Sequence, residues 1–190
     1  MENQNEIRLQ RFFSDDDKNI EIIKNLVWEY FEWGNVCLKE NYGYQLDINE
    51  MLKKFISELP MYCLNETRLY VVSYKNDIIG LGGYKKKDDT VVELKRVYLQ
   101  KQFRGKGFGR KLVSQLINDA KRFGFTKMFL ESADFMEEAY NLYKSFGFVK
   151  IPNYQGIETP SEFASNIYCM ELELQNQSKN QERSAREEKN

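Results

Sequence analysis

Glu93-Leu94-Lys95-Arg96-Val97-Tyr98-Leu99, then Arg104-Gly105-Lys106-Gly107-Phe108-Gly109, then Leu112, Val113, Leu116, Ile117 and Ala120: this stretch decides the fold. Its first part belongs to a run from Val91 to Leu99 that reads as a strand. Its last part places apolar residues at i, i+1, i+4, i+5 and i+8, the spacing of a helix with one buried face. Strand, glycine-rich loop and helix together form a device for holding an anion. Glycine lacks Cβ, so the backbone turns sharply and approaches a ligand closely. The first N–H groups of a helix have no intrahelical partner and lie at the positive end of its dipole. A phosphate or pyrophosphate satisfies both. Lys101, Arg104, Lys106, Arg110 and Lys111 add positive charge to the same corner.

The spacing excludes several phosphate loops. A dinucleotide fingerprint counted from Gly105 needs glycine where Arg110 stands, and no Gly-Lys-Ser/Thr run of a Walker A loop exists. A kinase glycine loop joins two strands, whereas this one enters a helix. What remains is Arg-x-x-Gly-x-Gly at Arg104, Gly107 and Gly109. This resembles the acetyl-CoA pyrophosphate loop of the GNAT superfamily of N-acetyltransferases. The strand Glu93 to Leu99 is similar to the one that leads into that loop. Ala139-Tyr140-Asn141-Leu142-Tyr143-Lys144-Ser145-Phe146-Gly147-Phe148 is similar to the family's second signature, a helix carrying Leu-Tyr and ending in Gly-Phe. The similarity runs by element order from about residue 6 to residue 174 and is strongest from Glu93 to Phe148.

Composition bounds the function. A length of 190 residues suits one domain with a substantial core. A net charge of −1 points away from nucleic acid or an anionic membrane as a partner. No apolar run reaches the length of a membrane span, and Met1 to Asn5 lacks the apolar region of a signal peptide. Cys37, Cys63 and Cys169 are widely spaced and odd in number, which fits a reduced, cytoplasmic compartment. Histidine is absent, so His-based triads, His metal sites and a His base are excluded, and no metal site is visible.

Along the chain, Ile7 to Phe13 reads as a strand. Ser14 to Asp17 supplies N-cap residues for a helix that Gly34 is expected to break. Asp47 and Glu50 form a capping-box pattern for a helix from Ile48 to Leu59, closed by Pro60. Thr67 to Tyr74 and Ile78 to Lys86 read as a hairpin, with Gly80, Gly82 and Gly83 marking a bulge or a close backbone approach. Later come a short strand from Thr126 to Leu130, a helix from Phe135 to Phe146 stopped by Gly147, and strands from Phe148 to Ile151 and Asn166 to Leu174. The expected fold is α/β (α+β): a mixed, mostly antiparallel sheet of about seven strands with about four helices, matching the GNAT order. The domain is expected over 1–174. The polar segment 175–190 reads as a flexible tail or a short solvated helix.

The resemblance implies an N-acetyltransferase that moves an acetyl group from acetyl-CoA to a primary amine by direct attack, with both substrates bound. The family's pattern then puts the pyrophosphate on backbone groups of Arg104, Gly105, Lys106, Gly107, Phe108, Gly109 and Arg110. The pantetheine arm would pair with Val97 and Leu99 like an added strand, and Asn141 would contact the cofactor. Tyr143 would protonate the leaving sulfur. Its alternative is a core aromatic in the stripe of Phe135, Ala139, Leu142 and Phe146. Glu93 matches a base position of some family members and sits between Val92 and Leu94, where desolvation could raise its pKa. It could instead orient the substrate, or pair with Lys95 or Arg96. Cys63 or Cys169 as acyl carriers would imply ping-pong kinetics, against the simpler reading of buried thiols.

The acceptor pocket is expected between Trp33 to Asp47 and Pro152 to Ser165. Tyr42, Tyr44 and Tyr154, with Glu29, Glu32, Glu40 and Glu158, suit a cationic amine, preferably of a small molecule. Fold alone does not choose the acceptor. The rivals are a protein or peptide N-acetyltransferase and a non-catalytic acyl-CoA sensor. Oligomeric state is not readable, although domains of this family often form homodimers.

Overall fold

Seven strands form one sheet in the order β1-β2-β3-β4-β5-β7-β6. The computed structural model describes residues 7–13, 17–75 and 77–174, without the side chains of 17–19. The elements are β1 (Ile7–Arg11), α1 (Asp17–Tyr42), α2 (Ile48–Tyr62), β2 (Arg68–Tyr74), β3 (Asp77–Lys86), β4 (Val91–Leu99), α3 (Phe108–Arg122), β5 (Lys127–Ala133), α4 (Glu137–Ser145), β6 (Val149–Ile151) and β7 (Ile167–Glu173). Short 3-10 turns occupy Lys101–Phe103 and Ser161–Asn166. All pairings are antiparallel except β4 with β5. The expected tail, 175–190, and the expected N-cap residues Ser14 to Asp16 lie outside the described residues.

Strand alternation gives the sheet a core on each face. Leu69 and Val71 of β2 and Leu81 of β3 join Ile23, Val27 and Phe55 beneath α1 and α2. Val72 and Ile79 face the other way, toward Leu112 and Leu116 of α3. Gly82 lets α3 press onto β3, since a Cβ there would sit 2.8 Å from Leu112 Cδ2.

Two helix ends differ from expectation. Gly34 does not break α1, which continues to Tyr42. The buried stripe of Ile23, Leu26, Val27 and Phe31 extends to Asn35, and burying it outweighs the roughly 1 kcal/mol cost of a mid-helix glycine. The helix stops instead before Gly43, which has φ of 76° and its N–H on Lys39 O at 3.0 Å. Pro60 does not close α2 but lies inside its last turn. Leu59 and Tyr62, both buried, hold that turn against the core, and Cys63 N–H bonds Pro60 O at 3.1 Å. Asp47 caps α2 as expected, accepting from Asn49 N and Glu50 N at 2.8 and 3.2 Å.

β4 is irregular along both of its edges. Between Gly83↔Lys95 and Leu81↔Tyr98 the strand carries an extra residue, a bulge, with Arg96 at φ of 58°. On its other edge β4 pairs with β5 only where Val91, Val92 and Glu93 meet Lys127, Met128 and Phe129. Beyond that point the two strands diverge. Leu130 to Ala133 continue to pair with β7 alone.

Candidate active site

The glycine loop closes β4 and opens α3. Gly105 and Gly107 have φ of 73° and 81°, a region that costs a residue with a Cβ about 1–2 kcal/mol. Open space surrounds both Cβ positions. Gly107 caps α3 without a side chain, and the helical ladder begins with Lys111 N on Gly107 O at 3.1 Å. The amides of Phe108, Gly109 and Arg110 therefore precede the ladder and face outward at the positive end of the helix. Outward amides beside two open glycine Cβ positions make this corner accessible to an anion.

The basic side chains around it do different work. Arg104 folds back: its Nε donates to Leu99 O at 2.9 Å and its guanidinium lies over the Trp33 ring at 4.4 Å. Arg110 donates to Ser145 Oγ at 2.9 Å, tying the start of α3 to the end of α4. Gly109 lies beside the same helix, with Leu142 Cδ2 at 3.5 Å from the position of a Cβ, an ordinary contact distance. Lys106 remains exposed.

The end of β4 offers backbone groups to its open side. Gln100 N bonds Ile79 O at 2.9 Å, so in the alternating pattern Tyr98 faces β3 and Leu99 faces away from it. Val97, in the bulge, is unpaired with β3. Leu99 O accepts from Arg104 Nε, and the Leu99 N–H points away from β3.

Tyr143 is buried on α4 against Phe148, ring centroids 5.7 Å apart. Burial pushes its phenol well above the ordinary value, and Tyr168 and Tyr30 push the same way. Among the described residues its hydroxyl has no hydrogen-bond partner. A capping motif fixes the helix end: Gly147 N bonds Lys144 O at 3.0 Å and Phe148 N bonds Tyr143 O at 3.3 Å. Asn141 is exposed on the same helix.

Glu93 is buried in an ionic cluster. Lys95 Nζ lies 2.8 Å from it and Tyr154 donates to it at 2.6 Å. Lys95 also lies 3.1 Å from Glu131 and 3.7 Å from Glu158. Arg96 meets Glu158 at 3.0 Å, and Lys85 meets Glu158 at 3.4 Å and Glu58 at 2.8 Å. Burial would raise the Glu158 carboxyl, but Arg96, Lys95 and Lys85 outweigh it and hold it down at about 2. Tyr154 is pushed up by burial and then by its bond to Glu93. Glu93 therefore has the ion-pair arrangement that the sequence left open beside the base role.

A cavity of ≈ 420 Å³ opens on the diverging strands, where Arg96 of β4 and Glu131, Ser132 and Ala133 of β5 line it. Glu158, Tyr44 and Phe163 also line it, whereas Glu93 does not. Asn35 shapes its wall by donating to Leu46 O at 2.7 Å and accepting from Leu46 N at 3.0 Å. Tyr44 stacks on Phe163 at 3.7 Å, which joins the segment after α1 to the segment before β7. The expected pocket walls thus meet, and Glu131 is the functional candidate that the sequence reading missed. The sequence reading ends this strand at Leu130, one residue short of it, whereas β5 runs on to Ala133. Its direction toward the cavity was not legible in the sequence.

The two cysteines that could carry an acyl group lie outside the cavity lining. Cys169 is buried, and burial raises its thiol. Cys63 is half-buried near Phe12 O, 4.0 Å away, and is absent from the cavity lining. Among the described residues no helix is long and apolar enough to cross a membrane.

An anion-accessible helix start, a bulged strand end and a cavity between diverging strands thus lie along β4. Residues 21–148 match the Acetyltransferase (GNAT) family, and the chain belongs to that family. The uncharacterized N-acetyltransferase YjgM of Escherichia coli (strain K12) is 33% identical over 85 residues, 43% of this chain and 51% of that protein. The chain spans about half or less of the length of the curated relatives it matches. In fold it is similar to an acetyltransferase of Streptococcus agalactiae 2603, with TM-score 0.68, 16% identity and coverage of 88% of this chain and 98% of the other. It is also similar to the PaiA N-acetyltransferase of Thermoplasma acidophilum, solved in complex with coenzyme A, with TM-score 0.66, 16% identity and coverage of 88% and 99%.

Proposed function

We propose that this chain acetylates the primary amine of a small molecule, with acetyl-CoA as donor and both substrates bound together. The observation that carries this reading is the bare end of β4, which has the glycine cradle at one end and the cavity at the other. Acetyl-CoA, when bound, supplies a thioester carbonyl open to attack. Phe108, Gly109 and Arg110 amides would hold its pyrophosphate, and Val97 and Leu99 backbone groups its arm.

In transfer the N–C bond would form as the C–S bond breaks, and the proton shed by the new amide nitrogen would end on the CoA sulfur. An alkylamine titrates near 10, so a proton must leave before attack. Glu131 is the carboxylate that we assign to face the amine, because it lines the cavity with its side chain 10% exposed. Glu93, one ion pair behind it through Lys95, acts by positioning. Tyr143 donates toward the sulfur. A phenol raised above its ordinary value of about 10 is a weaker acid than a thiol near 8.5, so its main contribution is a hydrogen bond. Cys169, buried and with a raised thiol, gives no support to an acyl-enzyme route.

The Tyr44–Phe163 contact across the cavity suits a compact acceptor over an extended peptide. A cytoplasmic location and a homodimer belong to the same proposal, from cysteine usage and family resemblance. The test is CoA thiol release from acetyl-CoA across polyamines, aminoglycosides, free amino acids, and Lys and N-terminal peptides, with acetyl-CoA binding measured in the same samples. Release with small amines is expected. Release only with peptides would overturn the small-molecule assignment, and binding without release from any amine would favour a sensor.

A further inference from the structure

Resting on the acetyl-transfer reading, we infer that Tyr30 is a further catalytic residue: its hydroxyl meets the acceptor nitrogen from α1 and passes that nitrogen's proton to Tyr143, through the opening between β4 and β5.

The two tyrosines come from opposite faces of the sheet. Tyr30 packs against the core under α1 and α2, whereas Tyr143 belongs to the core under α3. A continuous sheet would keep them apart. Here β4 and β5 pair only as far as Glu93 and Phe129, so the two faces communicate beyond that point. Tyr30 lines the cavity that opens there, as do Arg96, Glu131 and Glu158.

The ring is held and the hydroxyl is free. The Tyr30 ring lies 5.0 Å from Tyr98 of β4, 5.3 Å from Phe31 and 6.4 Å from Trp33, centroid to centroid. A buried tyrosine hydroxyl usually finds a partner. Tyr98 donates to Glu29 at 2.9 Å, and Tyr154 to Glu93 at 2.6 Å. Among the described residues the Tyr30 hydroxyl makes no such bond, and unlike those of Tyr62 and Tyr84 it is not sealed in the core.

Its surroundings reach both halves of the site. Burial raises the Tyr30 phenol most, and Arg96, Glu158, Lys95 and Glu131 all act on it. Tyr143 is raised by burial and then by Tyr168 and Tyr30. Tyr168 does not line the cavity, and Tyr44, which does, is paired with Asn166. Tyr30 joins the cavity to Tyr143.

This arrangement suits a relay. Burial holds both phenols neutral, so neither is suited to be left as a phenolate. A hydroxyl accepts and donates at one oxygen. Glu131 takes the proton that frees the amine. As the N–C bond forms and the C–S bond breaks, a second proton leaves the nitrogen for Tyr30, the Tyr30 proton moves to Tyr143, and the Tyr143 proton moves to the sulfur. Both phenols end as they began, and Glu131 returns its proton to water.

The test is CoA release by the full chain with the same panel of polyamines, aminoglycosides, amino acids and peptides, comparing the parent with Tyr30→Phe, Tyr143→Phe and the double variant. Tyr30→Phe keeps the ring and its packing, so the urea midpoint and the KM for acetyl-CoA should hold while kcat falls about 10- to 100-fold. Members of one relay fail together, so the double variant should be about as slow as the slower single variant. Losses that multiply in the double variant would overturn the relay, as would a slow Tyr30→Phe whose urea midpoint falls with its rate. Parent-like kcat in Tyr30→Phe would overturn this inference alone. No release from the parent with any amine would overturn acetyl transfer and the relay with it.

Discussion

The Lys95 ammonium donates to Glu131 Oε1 at 3.1 Å, crossing from β4 to β5 where the strands have ceased to pair. This bond replaces the missing backbone ladder with an ionic tie and sets the position of the carboxylate at the cavity floor. Burial works against the Lys95 charge, but Glu158, Glu93 and Glu131 outweigh it and raise its pKa. Lys95→Met would strand two buried carboxylates. It should cost about 3–5 kcal/mol, read as a lower urea midpoint. Adding Glu131→Gln should restore part of that loss. A single variant as stable as the parent would mean that the cluster is solvated.

Glu158 predicts an acid limb. Its carboxyl titrates at about 2 in the fold, against about 4.3 for a free glutamate. A lowered folded value means that the stabilisation is complete above the unfolded value and is lost as pH falls from there through about 2. The contribution is about 3 kcal/mol. Urea unfolding at pH 6 and pH 3 should show a steep loss for the parent and a shallower one for Glu158→Gln. Equal slopes would remove Glu158 from the acid transition.

The frame of this site was legible because its signals are local. The alternation of β4, the run from Arg104 to Gly109 and the apolar period of α3 each act within a few residues. The misreadings arose where tertiary contacts overrode local cost. Gly34 and Pro60 are poor helix residues, yet Asn35, Leu59 and Tyr62 are buried and keep their helices going. Glu131 is one of 29 acidic residues, and nothing near it in sequence says that β5 has left β4 there. Glu93 was the more visible carboxylate because it shares a strand with the motif, but the side of the cluster that it faces depends on Tyr154, 61 residues away.

Gly107→Val separates the cradle from the fold. Among the described residues, its chain neighbours aside, no atom lies within 4 Å of its Cβ position, so a side chain has room to project outward, but φ of 81° imposes about 1–2 kcal/mol of strain. The unfolding midpoint should fall modestly. Acetyl-CoA affinity should fall at least tenfold, about 1.4 kcal/mol, because the side chain enters ligand space. Unchanged affinity by calorimetry would mean that the pyrophosphate sits elsewhere.

Tyr143→Phe removes a hydroxyl that has no partner among the described residues, so stability should change by less than about 0.5 kcal/mol. If the hydroxyl serves the sulfur, kcat should drop about 10- to 100-fold while the KM for acetyl-CoA holds, since the interaction matters only as the C–S bond breaks. A normal kcat would leave Tyr143 as a core aromatic.

Glu131→Gln and Glu93→Gln divide the two carboxylates by role. Glutamine keeps the shape but cannot accept a proton from an ammonium. At Glu131, on the cavity wall, it should lower kcat about a hundredfold and flatten the acid side of the pH–rate profile, with a small stability cost because one hydrogen-bonding oxygen remains for Glu158 N. At Glu93 it should weaken the ion pair with Lys95 and cost about 1–3 kcal/mol in urea unfolding, while the pH profile keeps its shape. Rate and stability would then separate onto different residues only 3.1 and 2.8 Å from the same lysine. The reverse pattern, with the pH profile lost in Glu93→Gln and kept in Glu131→Gln, would return the base role to Glu93 and require the proton to pass through Lys95.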